Sequence, residues 1–328
     1  MSAPGDTRGL VAPELLPVLD RFAEFELNDD TLASMRAAAR AMPPPPLSPV
    51  AQAVRCEEQF IPGPRGAPDV RVLLYTPQAK NISLRPAYLQ LHGGGFVMGA
   101  PEMNDGANRM LAAGLDCILV SVDYRLAPET HFPGAVEDAY AALLWLHREA
   151  KALGIDHARI AIGGQSAGAG HAAVLALRAR DRGEVPLCLQ MLDSPMIDDR
   201  TGSTADPHPY CGEFAWTPAK NRFGWRALLG AEPGGPEIPA EAVPARVSDL
   251  SKLPPAFILV GSLDLFLEEN MEYARRLIRA GVPTELHIIP GAFHGFTSVG
   301  GEAPQAHLAL TLKNAALARA FACVPFDQ

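Results

Sequence analysis

Paired cysteines, long apolar runs and an excess of positive charge are all missing from this 328-residue sequence. The five cysteines, Cys56, Cys117, Cys188, Cys211 and Cys323, are odd in number and far apart. That spacing excludes a disulfide framework and the close ligand pairs of a zinc site, so they read as ordinary buried thiols. No stretch approaches the length of a membrane span. The apolar residues of Met1–Asp20 are interrupted by Pro13, Glu14 and Pro17, so the start of the chain lacks the unbroken segment of a signal peptide. The chain therefore reads as cytoplasmic, with no membrane partner. Lys and Arg number 28 against 37 Asp and Glu, a net charge of -9 without long acidic runs. Such a balance argues against nucleic acid and against an anionic membrane surface as partner.

What is present is ample apolar material, 48% of the residues, organised around the stretch Arg159–Leu177. A short apolar run there leads into Gly164-Gln-Ser-Ala-Gly168 and then into a helix-forming sequence. It reads strand, sharp turn, helix. Small residues on both sides of Ser166 let the backbone double back with the serine at its apex, beside the N–H groups of a helix start. That geometry suits a nucleophile. The pattern also arises by chance in many proteins, so its meaning depends on partners elsewhere.

A second strand, from Ala87, runs into His92-Gly-Gly-Gly-Phe96. Without side chains in the way, the N–H groups of Gly93 and Gly94 can share one space and stabilise a developing oxyanion. A merely flexible loop is the bland alternative, and His92 at the strand end reads as a structural hydrogen-bonding residue.

The rest of the chain alternates strands with helices. Cys56–Ile61 and Val70–Thr76 read as an opening hairpin, and Cys117–Tyr124 as a strand buried on both faces. Ala135–Leu153 reads as an amphipathic helix stopped by Gly154, and Leu187–Leu192 as the strand after the serine turn. Ala256–Gly261, a helix Glu268–Ala280, the strand Thr284–Ile289 and a closing helix Pro304–Ala322 complete it. Alternation of this kind means an α/β chain with a mostly parallel, doubly wound sheet, helices on both faces and functional groups beyond the strand C-termini.

Two segments stand outside the alternation. Residues 1–47 hold helix-like pieces at Glu14–Leu27 and Asp30–Met42, closed by the stiff run Pro43–Pro46. Residues 198–253 lose periodicity and carry Tyr210, Phe214, Trp216, Phe223 and Trp225. Together they read as a helical cap over a core of 48–197 and 254–328, in one domain overall. Most cap aromatics belong to the cap's own packing. Phe214 and Trp216, with Phe96 and Leu265 beside the functional loops, are candidates to line a substrate pocket.

Asp264 and His294 each sit just past a late strand, on the same edge of the sheet as Ser166. Asp198 and Glu268 are rival acids. Asp264 follows its strand most closely, and Glu268 suits a helix N-terminus. His287 falls inside a strand, where a sheet-face role fits better. The order Ser166, Asp264, His294 is that of an α/β-hydrolase triad.

Taken together, His92–Phe96, Gly164–Gly168, Asp123-Tyr-Arg-Leu-Ala-Pro-Glu129, Asp264 and His294-Gly-Phe296 resemble the hormone-sensitive lipase family of α/β-hydrolase esterases, over nearly the whole chain past residue 50. The resemblance implies an α/β-hydrolase fold and a serine carboxylesterase acting on a small-molecule ester. It gives Ser166 as nucleophile, His294 as base, Asp264 as orienting acid, and the N–H groups of Gly93, Gly94 and Ala167 as the oxyanion hole. It calls for no metal and no organic cofactor. It also implies a possible homodimer through the last strand and helix. An amidase or deacetylase would use the same triad. A ligand receptor, as among the plant gibberellin receptors related to this family, would lack the catalytic histidine, and His294 is present here. The chain departs from the family pattern at Gln165, where Asp is usual, and at Leu265 and Leu267, where Pro and Arg are usual. A neutral amide at 165 is expected to alter local contacts without abolishing the chemistry.

Overall fold

In the computed structural model, which describes residues 7–20, 25–78, 84–203 and 207–322, the apolar runs assemble into one eight-stranded sheet. Its strands are β1 (Val54–Ile61), β2 (Val70–Pro77), β3 (Arg85–Leu91), β4 (Ile118–Asp123), β5 (Ile155–Gln165), β6 (Leu189–Asp193), β7 (Ala256–Gly261) and β8 (Thr284–Ile289). The order is β1-β2-β4-β3-β5-β6-β7-β8. β1–β2 and β2–β4 pair antiparallel, and every later pair is parallel.

Side chains alternate across this sheet and so feed two separate cores. Leu89, Leu91, Val120, Ile162 and Ile258 point to one face, where they pack with Ala139, Leu143, Leu175 and Leu277. Those partners come from the helices Gly134–Arg148, Ala167–Arg182 and Leu267–Arg279. Tyr88, Leu119, Ala161, Phe257 and Leu259 point to the other face, against Ala112, Ala309, Leu317 and the N-terminal Leu15 and Leu19. The central strands β4 and β7 are buried on both sides, hence their nearly unbroken apolar character, while the edge strand β8 is half-buried.

A third cluster lies over the functional end of the sheet. It joins Leu27 and Leu32 of the N-terminal segment to Trp216, Phe223, Trp225, Leu228 and Val243 of 198–253, and all of these to Phe96, Ala167, Met196 and Phe266 of the core. Arg36, on the helix Leu32–Ala41, fastens the N-terminal segment down. Its guanidinium donates to the carbonyls of Val97 and Ala127, both at 2.7 Å, and pairs with Glu129 at 2.6 Å.

Some boundaries differ from the sequence reading, for physical reasons. The piece expected at Glu14–Leu27 starts as a turn, Pro13–Leu15, followed by a four-residue helix, Leu16–Leu19; residues 21–24 lie outside the described set. The helix expected as Ala135–Leu153 divides at Glu149 into Gly134–Arg148 and Ala150–Leu153. A helix at Asp105–Leu115, not expected from the sequence, connects β3 to β4, with Ala112 buried in the second core and Leu111 and Leu115 packed against it. Of the thiols expected to be buried, Cys117 is buried and Cys56, Cys188 and Cys211 are half-buried; Cys323 lies outside the described residues. Among the described residues no helix is long and apolar enough to cross a membrane.

Candidate active site

The turn after β5 puts Ser166 at φ 56° and ψ -123°, a conformation that an L-residue adopts only under constraint. The constraint is close packing of backbone on backbone. A Cβ on Gly164 would meet the Leu91 carbonyl oxygen at 2.4 Å, and one on Gly168 would meet the Leu91 and His92 carbonyl oxygens at 2.2 and 2.3 Å. Only glycine lets β5, the helix Ala167–Arg182 and the end of β3 approach this far. Two further bonds pin the serine, from its own N–H to the Asp193 carbonyl at 2.8 Å and from the Met196 N–H to its carbonyl at 3.2 Å.

Ser166 Oγ donates to His294 Nε2 at 2.9 Å, and His294 Nδ1 donates to Asp264 Oδ2 at 2.8 Å. The three side chains are buried, Asp264 fully. Its other carboxylate oxygen accepts the Phe266 N–H at 3.0 Å, which fixes the carboxylate plane. The ring of Phe266 stands edge-on to His294 at 5.0 Å. The rival acids are engaged elsewhere: Asp198 pairs with Arg200, and Glu268 is exposed in the first turn of its helix. His287 lies on β8 against Glu285 and Phe257.

Gly93 lies directly beside the serine, since a Cβ there would stand 3.5 Å from Ser166 Cβ. Gly94 has φ +127°, and a Cβ on it would meet the Met98 carbonyl oxygen at 2.2 Å. The loop is thus folded tightly on itself, with Val97 and Met98 donating back to Gly94. Ala167 opens the elbow helix, where backbone N–H groups have no partner within the helix. His92 lies behind the loop. Its ring stacks on Tyr124 at 4.2 Å and its Nδ1 is 2.9 Å from the Gly93 carbonyl. Burial pushes its pKa down, and that of neighbouring His171 to about 3.

The pocket candidates separate. Trp216 reaches the site: its indole covers Gly95, where a Cβ would collide with it at 2.1 Å, and its ring is 6.2 Å from that of His294. Phe96 packs instead on His171 and Trp225, at 4.7 and 5.0 Å. Phe214 lies against Phe293, and Leu265 against Gly212. Phe266 was not singled out from sequence; it falls two residues past Asp264, and that proximity was the only signal. Among the described residues no group of three or more His, Cys, Asp or Glu could hold a metal ion.

Residues 88–298 match the family of the alpha/beta hydrolase fold. Esterase LipI of Mycobacterium tuberculosis is 36% identical over 304 residues, covering 92% of each chain. The chain belongs to the hormone-sensitive lipase family of α/β-hydrolase esterases. A second relative, carboxylesterase NlhH of Mycobacterium tuberculosis, is 36% identical over 327 residues, 98% of this chain and 99% of its own. Among solved structures, a bacterial heroin esterase superposes with a TM-score of 0.88 at 36% identity, over 97% of this chain and 100% of its own. For an α/β-hydrolase the elbow, the Ser166–His294–Asp264 chain and the glycine loop stand where the fold gathers its functional groups, beyond the strand C-termini.

Proposed function

We propose that this protein is a serine carboxylesterase acting on short- to medium-chain acyl esters through an acyl-enzyme. The observation that carries the reading is the continuous hydrogen-bond chain from Ser166 through His294 to Asp264, at 2.9 and 2.8 Å. Ser166 Oγ attacks the ester carbonyl carbon as its proton passes to His294 Nε2. Asp264 holds the ring's tautomer and stabilises the imidazolium. The N–H groups of Gly93, Gly94 and Ala167 stabilise the tetrahedral oxyanion. His294 then protonates the leaving alcohol, and water, deprotonated by the same histidine, releases the acid. Every group in the cycle comes from the chain itself.

The acyl range follows from Trp216, whose indole closes the space over Gly95 beside His294. A small-molecule ester is the expected partner, and the odd, widely spaced cysteines of the sequence fit a reducing compartment, the cytoplasm. A homodimer would add its second copy along β8, which lies at the edge of the sheet. An amidase with the same triad is separated by comparing ester and anilide substrates of equal acyl length. The test of the main reading is turnover of p-nitrophenyl esters from acetate to decanoate. Wild type should favour the shorter chains, and Ser166→Ala should lose roughly four or more orders of magnitude. Near-normal turnover in that variant would end the assignment.

A further inference from the structure

Gln165, the neutral residue beside the nucleophile, joins two parts of the active site that are far apart in sequence. Its Nε2 donates to Thr297 Oγ1 at 2.7 Å, and its Oε1 accepts from Ser298 Oγ at 2.7 Å, the latter at the surface. Thr297 Oγ1 donates to Asp193 Oδ2 at 3.0 Å, and Lys313 Nζ pairs with that same oxygen at 2.6 Å. The Asp193 carbonyl in turn accepts the N–H of Ser166. These bonds close a ring: Ser166 to Asp193, Asp193 to Thr297, Thr297 to Gln165, and Gln165 back to Ser166 through the chain. Thr297 stands three residues past His294.

We infer that Gln165 is a positioning residue that locks the His294 loop to the nucleophile turn, and that the amide is required because it must donate to Thr297 while accepting from Ser298. The Thr297 hydroxyl has one proton to donate, and it is donated to Asp193. Its remaining partner must therefore be a donor. A carboxylate at 165 would present a second acceptor to that hydroxyl and a second negative charge near Asp193, which already pairs with Lys313. The expected effect of the lock on turnover rests on the esterase reading, because the contact it protects is Ser166 Oγ to His294 Nε2.

Gln165→Glu is the informative variant, since it keeps size and shape and becomes a donor only when protonated. The charged or titratable groups around it are Asp193, Lys313, Tyr88, which senses the Asp193 charge, and His294. The measured quantity is the ratio of variant to wild-type kcat/KM on p-nitrophenyl butyrate, in which any pH dependence common to both proteins cancels. The ratio should be about 0.1 at pH 8, the scale of a modest misplacement of a catalytic group, and should climb toward 1 as pH falls and the introduced carboxyl gains its proton. Gln165→Met should show a similar loss at every pH. Melting temperatures of the same proteins give a readout free of activity: Gln165→Glu should melt below wild type at pH 8, with the gap narrowing in acid. A ratio that stays flat with pH, or that equals 1 at pH 8, overturns the inference. Wild-type protein inert toward esters, with the pH-dependent melting gap intact, would defeat the esterase reading and leave the lock standing.

Discussion

Ser166 sits at a backbone conformation worth of order 1–3 kcal/mol of strain, held by glycines packed to contact distance and by bonds to Asp193 and Met196. Strain of this kind keeps Oγ clear of both adjoining elements and aimed at His294. Asp264, fully buried, accepts from that ring and from the Phe266 N–H. Asp264→Asn should therefore lower kcat on a chromogenic ester by about 10³- to 10⁴-fold, and Glu268→Gln should stay within about threefold of wild type because Glu268 is exposed and off the ring. Reversal of those two effects in steady-state assays would reassign the acid. Ser166, Asp264 and His294 were legible in the sequence because each follows a strand, and a parallel sheet gathers all such positions at one edge. Phe266 beside His294, and Thr297 and Asp193 beside Gln165, were not. Their roles arise from contacts between residues as many as 132 positions apart, and no local pattern records such a meeting.

At the level of elements, the two pieces outside the β/α alternation do not form separate bodies. Leu27 and Leu32 pack into the same cluster as Trp216, Phe223 and Trp225, with Phe96 and Phe266 of the core beneath them. The strands were readable from apolar runs because burial on both faces demands them. The N-terminal helix is shorter than its apolar pattern suggests, since Pro13 opens a separate turn before Leu16–Leu19, and Gly106 and Gly114 weaken the helical signal of Asp105–Leu115. Trp216 is the element's point of contact with the chemistry, and its Nε1 is anchored on Asn221 at 3.2 Å. Trp216→Ala should open the space above Gly95, so that the decanoate-to-butyrate ratio of kcat/KM rises by about tenfold, the scale of a few methylenes accommodated in an apolar pocket. An unchanged chain-length profile would remove Trp216 from the pocket wall.

The molecule as a whole carries its functional loops on a buried aromatic and imidazole stack, in which His92 and His171 flank Tyr124. Burial lowers the pKa of both histidines, that of His171 to about 3. The folded state therefore keeps them neutral, while the unfolded chain takes up protons below the ordinary value near 6.5. Stability is present in full above that value and is lost as pH falls toward the folded-state values. Thermal melts from pH 8 to pH 4.5 should show the melting temperature falling once pH drops below about 6.5, with a shallower fall in His171→Gln, which cannot titrate. Parallel curves for the two proteins would show that His171 does not contribute to acid sensitivity. Because the stack supports the glycine loop, acid should weaken loop and fold together.

The central claim, that Ser166 is the activated nucleophile of an ester hydrolase, is tested most directly by reaction with a fluorophosphonate and peptide mass mapping, with ester turnover followed in the same sample. The expected result is one adduct per chain, on Ser166, with turnover falling in proportion to labelling. Turnover that persists after stoichiometric labelling of Ser166, or inactivation with the adduct on another residue, would contradict it.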